Sequence, residues 1–487
     1  MSDRTSNQHS AQEAYDLLFS LQDVQRSWFL NTAEELELSQ GSVLVRQNEN
    51  LNAFYILMEG VLNVFHSPEE QKLLATLGPG QIIGELSFIE NLPASATVVA
   101  AERCMLLHIS FEVLRKRIEE SIDFHVAFQN ALLPILSQRL RSVTAKMRAL
   151  QEQPGSPHLT HTPLWAALEK FKDQMFAMNH LEARKDETGL KAQLPALAEA
   201  LGALVINVQQ YLGDDAPGSQ QEKEITGYQL QREMAPYLMM ANFLQRSYTK
   251  PRGYAGDYLT IFQIYEDQAM GNSRVGELLD RCCLENPTAK AVKNRRILLR
   301  DQIHRQLAAH PDRTVNLCIF ACGPAQELFD VYAELENPER LKATLIDIDI
   351  KALAHVTDRL EKYPKKLPVA LHQENLIYLA LGKRQISLPP QDLIYSIGLI
   401  DYFNDQLVVK LNDYAHQLLA PGGRLILGNF HTKNPIKAFM DHILDWKLIH
   451  RDENDMNRIF ASSRFNAPCS QILYESEGIN MFACCEK

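Results

Sequence analysis

One run of residues limits the architecture of this chain more than any other. Val315-Asn-Leu-Cys-Ile-Phe320 is apolar almost throughout and reads as a buried strand. It enters Ala321-Cys-Gly-Pro-Ala-Gln-Glu-Leu328, a turn that opens a helix, and the next strand, Lys342–Ile346, ends in Asp347-Ile-Asp349. A strand, a glycine-containing turn and an acid at the end of the following strand make the minimal nucleoside site of a doubly wound α/β fold. Gly323 lets the ligand approach the backbone, and the Asp347 carboxylate can accept hydrogen bonds from two ribose hydroxyls. Asp349 reads as a helix cap. The turn has no other glycine, and Pro324 follows Gly323. A dinucleotide needs a glycine-rich turn to seat its pyrophosphate on the helix N-terminus, so the pattern argues against NAD and for a ligand without phosphates.

The landmarks that follow keep the same order. His372-Gln-Glu-Asn375 falls at the end of a third strand, and Asp392-Leu-Ile-Tyr-Ser-Ile-Gly398 is a fourth, leading into Leu399-Ile-Asp-Tyr-Phe403. Leu418-Leu-Ala-Pro-Gly-Gly-Arg-Leu-Ile-Leu427 is a helix end, a turn and a fifth strand. This ordered set resembles the class I methyltransferases that use S-adenosylmethionine (SAM). The resemblance implies a Rossmann-like α/β domain over residues 312–487. It implies a cofactor site at Ala321, Gly323, Asp347, Asn375, Ser396 and Gly398, with Asp347 on the ribose and Asn375 on the adenine.

Residues 164–311 are helical almost throughout, with breaks at Gly213–Gln221 and Lys250–Asp257. The second break carries aromatic and charged side chains in Lys250-Pro-Arg-Gly-Tyr-Ala-Gly-Asp-Tyr258, more than a plain turn needs. With Ala291-Val-Lys-Asn-Arg-Arg296, Gly398-Leu-Ile-Asp-Tyr402 and Asp445-Trp-Lys-Leu-Ile-His-Arg-Asp452, it resembles the bacterial 3-hydroxypalmitic acid methyl ester synthases. That resemblance spans about residues 225–487. It implies methyl transfer from SAM to a fatty-acid carboxylate, which makes a quorum signal. Tyr254, Asp257, Tyr402 and His431 are the candidate catalytic residues, and Arg252, Tyr258 and Asp401 the candidate substrate contacts. A carboxylate is its own nucleophile at pH 7, so a base is needed only for an amine or hydroxyl acceptor, where His431 or Asp257 would manage the proton. Tyr237–Leu244 offers an apolar face for an acyl channel. The basic run Lys290, Lys293, Arg295, Arg296, Arg300 and Arg305 reads as a solvated helix face, the alternative being a role in pinning a carboxylate or an acyl carrier.

Residues 15–150 are different in kind. Gly41, Gly60, Gly78, Gly80 and Gly84 punctuate short strand-like runs, the pattern of a sandwich or barrel, and a long helix follows from Phe111, interrupted at Pro134. Phe54-Tyr-Ile-Leu-Met-Glu-Gly60, Leu77-Gly-Pro-Gly80, Ile83-Gly-Glu-Leu-Ser-Phe88 and Leu92-Pro-Ala-Ser-Ala-Thr-Val98 resemble cyclic nucleotide-binding domains. The resemblance implies a β-barrel or jelly-roll regulatory domain with a pocket at Gly84, Glu85, Ser95 and Thr97, where Glu85 takes the ribose 2′-hydroxyl. The family's phosphate-binding arginine is replaced by Ala94, a loss of about 1.5–3 kcal/mol in binding. Weak cyclic nucleotide binding, another ligand or a purely dimerising role all remain open.

Gln151–Pro163, with three prolines and a glycine, reads as the linker between these zones. The expected architecture is therefore multidomain: the jelly-roll sensor, the α-helical segment 164–311 and the α/β domain. The formal net charge of −11 and the lack of a DNA-reading helix-turn-helix argue against nucleic acid. The polar N-terminus has no signal-like apolar run and no stretch is long enough to span a bilayer, and the eight cysteines form no C-x-x-C. No metal is expected, and a reduced cytoplasmic setting and a homodimer are. Two other functions stay open: methylation of another small molecule, and a signal-binding scaffold without activity.

Overall fold

The computed structural model describes residues 13–66, 73–151 and 163–487. Of the expected linker 151–163, Gln151 ends one helix and Pro163 begins the next, and residues 152–162 lie outside the described residues, as does the stretch 1–12. After helices Glu13–Ser20 and Asp23–Thr32 come eight short strands: β1 (Glu34–Leu38), β2 (Val43–Val45), β3 (Ala53–Glu59), β4 (Leu62–Phe65), β5 (Leu73–Leu77), β6 (Ile82–Ile83), β7 (Thr97–Ala100) and β8 (Cys104–Ser110). They form two four-stranded antiparallel sheets, ordered β1-β8-β3-β6 and β2-β7-β4-β5. Leu57, Leu62, Val98 and Leu106 fill the space between them. Phe54, on the opposite face of β3, packs instead on Phe29 and Phe128.

Two helices follow, Phe111–Glu120 and Ile122–Gln151. The break expected at Pro134 is at Ser121, whose extended backbone (φ −142°, ψ 104°) and side chain, accepting from the Phe124 amide, start the second helix. Pro134 lies inside that helix. The carbonyl it leaves without a donor belongs to exposed Asn130, where water can serve.

Eight helices, from Pro163–Ala183 to Pro287–Ala309, fill the middle of the chain. Their core is not self-contained, because Leu168, Leu204 and Leu279 pack in one cluster with Phe430, Phe439 and Trp446 from the C-terminal region. That region carries β9 (Val315–Phe320), β10 (Leu341–Asp347), β11 (Val369–Gln373), β12 (Gln391–Ser396), β13 (Leu419–Phe430), β14 (Gln471–Tyr474) and β15 (Asn480–Glu486). They form one sheet ordered β11-β10-β9-β12-β13-β15-β14. The first five in that order are parallel, and β15 is antiparallel to both its neighbours. Pro421-Gly-Gly423 is absorbed as a register shift between β12 and β13. β12 is buried at every residue, as a strand covered by helices on both faces must be. The chain direction of winding reverses between β9 and β12, which opens a crevice at their carboxyl ends.

Candidate functional site

The turn after β9 has an unusual backbone. Ala321, Gly323 and Ala325 all have positive φ, at 53°, 52° and 47°. Alanine rarely adopts this conformation, because its Cβ crowds the following carbonyl. Two alanines flanking Gly323 thus hold a left-handed path in a turn that has a single glycine. Such left-handed non-glycine residues are strained and persist only where the surrounding structure holds them.

Asp347, at the end of β10, faces this turn. Its Oδ2 accepts from the Gly323 amide and its Oδ1 from the Asp349 amide, both at 2.9 Å. Each oxygen keeps a lone pair for a hydroxyl donor. Burial pushes the carboxyl up to about 6, against the two backbone bonds that favour its charge. Asn375 caps the helix Leu376–Ala380 through Oδ1, while its Nδ2, almost fully buried, has no partner. An orphaned donor of this kind suits a ring nitrogen of a base. Ser396 is buried with its hydroxyl donated to the Phe320 carbonyl, which ties β12 to β9. Gly398, with φ 71°, follows at the switch point.

The segment Lys250–Asp257 lies between this crevice and the N-terminal sandwich. Arg252 donates to both oxygens of Asp349 (3.0 and 2.6 Å) and to Glu102 beyond β7 (2.9 Å). Its whole guanidinium edge is spent within the chain. Asp349 is also the cap of the helix Ile350–Glu361, accepting from the Lys351 amide. Tyr254 donates to Asp349 at 3.3 Å, and burial raises its hydroxyl pKa well above the usual range. Gly253, at φ 80°, allows the close approach: a Cβ there would lie 2.7 Å from Val61, and one on Gly78 would lie 2.4 Å from the Gly253 carbonyl. Asp257 caps the helix Tyr258–Glu266 and pairs with Arg246 at 2.7 Å, so this residue is an anchor of the loop. Tyr258 packs on His355, with ring centroids 5.6 Å apart.

Tyr402 donates to the Ala255 carbonyl at 2.7 Å and accepts from the Trp446 indole at 3.1 Å. Asp401 is buried, accepts from the Phe430 amide at 2.7 Å, and burial pushes it up to about 6. His431 has both ring nitrogens engaged, Nδ1 by the Lys433 amide and Nε2 with Glu453 at 3.3 Å, just past the carboxyl end of β13 and beside Tyr474. The loop, Asp401, Tyr402 and Trp446 therefore meet, while His431 is held in a separate network.

Trp446 stands between two cavities. One, of about 100 Å³, is polar and bordered by Lys250, Tyr254, Asp401 and Tyr402. The other, of about 640 Å³, is walled by apolar side chains including Leu201, Val205, Ile264, Val292 and Phe439. Of the stretch Tyr237–Leu244, only Phe243 and Leu244 line it. Leu238 is instead consumed in the helical core, where its side chain is fully buried.

The expected solvated basic face needs a larger correction. Lys290, Lys293 and Arg300 do pair at the surface, and Arg296 grips Asp330. Arg295, however, is only 4% exposed. It belongs to the stripe Thr288, Val292, Arg295, Leu299, Ile303 and Leu307, all buried and spaced three or four residues apart. That spacing was visible in the sequence, hidden by the density of positive charge around it.

In the N-terminal pocket, Gly84 (φ 92°) turns the chain into the helix Glu85–Glu90. Glu85 is buried and paired with Arg139 of the helix Ile122–Gln151, which also donates to the Ile82 carbonyl at 2.9 Å. Thr97 accepts from the Gln47 amide, and the Ser95 carbonyl accepts from the Gln47 side chain. Ala94 is buried, its backbone paired with residues 48 and 49.

Residues 35–121 match the cyclic nucleotide-binding domain family. The N-terminal region is a cyclic nucleotide-binding domain. Over 77 residues the chain is 35% identical to the cAMP-dependent protein kinase regulatory subunit of Eremothecium gossypii, covering 16% of each chain. It is 35% identical over 68 residues to Acetyltransferase Pat of Mycolicibacterium smegmatis, 14% of this chain and 20% of that one. A solved cyclic nucleotide-binding domain from Methylobacillus flagellatus is 19% identical with a TM-score of 0.26, over 30% of this chain and 84% of its own. The chain spans well under a third of the length of the curated relatives it matches. Beyond the domain, a helical and mixed α/β remainder completes the molecule. Among the described residues no helix is long and apolar enough to cross a membrane, and no group of acidic, His and Cys side chains could hold a metal ion.

Proposed function

We propose that this chain is a SAM-dependent carboxyl methyltransferase acting on a 3-hydroxy fatty acid, with the cyclic nucleotide-binding domain as its regulator. The observation that carries the reading is the crevice at β9 and β10. There a left-handed turn of minimal side chains faces a buried acid with two lone pairs to spare. The residues fit a nucleoside without phosphates: Asp347 for the ribose hydroxyls, the orphaned Asn375 Nδ2 for the adenine, and the turn at Gly323 for the amino-acid part. When bound, SAM supplies a methyl group made electrophilic by its sulfonium.

A fatty carboxylate is ionised at neutral pH and would need no base, so the part left to this chain is to align and desolvate it rather than to remove a proton. The paired Asp257 and the doubly engaged His431 agree with this division of labour, since neither is set to act as a free base. The apolar cavity behind Trp446 is of a size and character to take an acyl chain. Regulation follows from the clasp of Arg252, which joins Glu102 of the sensor to Asp349, two residues from the ribose acid.

Incubation with labelled SAM and 3-hydroxypalmitate, followed by mass spectrometry, is expected to yield the labelled methyl ester. No ester and no saturable SAM binding in calorimetry would reject the reading.

A further inference from the structure

Arg295 is a buried arginine near the crevice whose charge no carboxylate of the described residues answers. Its Nε donates to the Tyr265 hydroxyl at 3.3 Å, and no carboxylate of the described residues lies within ion-pair distance. A guanidinium stays charged at any pH a protein survives, and burying it unpaired is costly. The carboxyls it senses from further off are occupied elsewhere: Asp401 with the Phe430 amide, and Glu327 with the Tyr395 hydroxyl at 2.8 Å. The outer nitrogens are aimed at Gly398, where a Cβ would stand 3.6 Å from Nη1 and 3.8 Å from Nη2. That places them at the switch point, beside the carboxyl end of β12.

The same helix lines the apolar cavity one and two turns earlier, with Thr288, Ala289 and Val292. Tyr265, which orients Arg295, follows Ile264 of the cavity wall. The guanidinium thus stands where the nucleoside crevice and the apolar cavity come together.

We infer that Arg295 is the carboxylate-binding residue of this site, its two outer nitrogens forming a fork for one carboxylate of a bound ligand. The inference rests on the methyltransferase reading, which offers two sources of that group: the amino-acid end of the donor and the head of the acceptor. Planar, two-pronged donation is what an arginine provides and a lysine does not.

Four probes separate the sources by calorimetry on the full chain. S-adenosylhomocysteine carries the donor carboxylate, and 5′-methylthioadenosine has the same nucleoside and sulfur without it. 3-Hydroxypalmitate and its methyl ester form the matching acceptor pair. If the donor is bound, Arg295→Gln weakens S-adenosylhomocysteine about ten- to a hundredfold and spares methylthioadenosine. If the acceptor is bound, the same variant weakens the acid by that factor and spares the ester.

Thermal unfolding checks that the variant is folded, and Arg295→Lys should recover part of the lost selectivity. The wild type gives a reading without any substitution, because it must prefer the carboxylate member of one pair. No preference in either pair, or equal loss of all four probes in a folded Arg295→Gln, overturns the assignment. Failure of the wild type to bind both adenosyl compounds sinks the methyltransferase reading itself, and the acid–ester pair then decides Arg295 alone.

Discussion

The two ligand-type sites of this chain are opposites in how they balance charge. In the N-terminal pocket the acid, Glu85, already has its arginine, Arg139, and the place of the phosphate-binding arginine is held by Ala94. In the crevice the arginine, Arg295, has no acid, and the acid, Asp347, has no cation. The first is satisfied by its own chain, and the second keeps unmatched groups of the kind the proposed ligand would meet.

The largest effect that would sharpen this contrast is expected at Asp347. Asp347→Ala should abolish S-adenosylhomocysteine binding, a loss of at least about a hundredfold, because the ribose hydroxyls lose their acceptor. Unchanged affinity in calorimetry would break the comparison at its stronger side. On the weaker side, Ala94→Arg should raise cyclic AMP affinity by about one to two decades, from a wild-type affinity too weak to saturate at micromolar ligand. Tight wild-type binding would show the pocket is not closed upon itself.

Acidity should separate ligand binding from folding. Asp347 must be ionised to accept two hydroxyls, so adenosyl affinity should fall about tenfold per pH unit below about pH 6. Stability runs the other way. The folded pKa of Asp347, like those of Asp401 and Asp280, lies above its unfolded value. The native state therefore holds these protons more tightly, and their contribution to stability declines as pH rises from about 4 to 6. Denaturant titrations across that range would read it. The smallest effect concerns strain: Ala321→Gly should stabilise the fold by up to about 1 kcal/mol, by relieving a left-handed alanine.

Much of this was legible in the sequence, and what was missed has physical reasons. The order of strands and turns from Val315 to Leu427 could be read because parallel strands buried on both faces leave continuous apolar runs. The turn looked degraded because glycine was counted, whereas the fold requires a left-handed path that alanine can follow under strain. Arg252 and Asp257 were recognisable as unusual, but their partners come from far along the chain, Asp349 for the arginine, or from the preceding helix, Arg246 for the acid. Arg295 was masked by five other cations on the same helix. Its position in a buried stripe becomes meaningful only when spacing is weighed above charge.

The bond pattern of Arg252 also governs how far the molecule can be re-engineered. A replacement sandwich grafted ahead of residue 163 would have to present its own carboxylate where Glu102 now stands, and a bare glycine opposite Gly253. Without both, a chimera would lose the tie between Glu102 and Asp349.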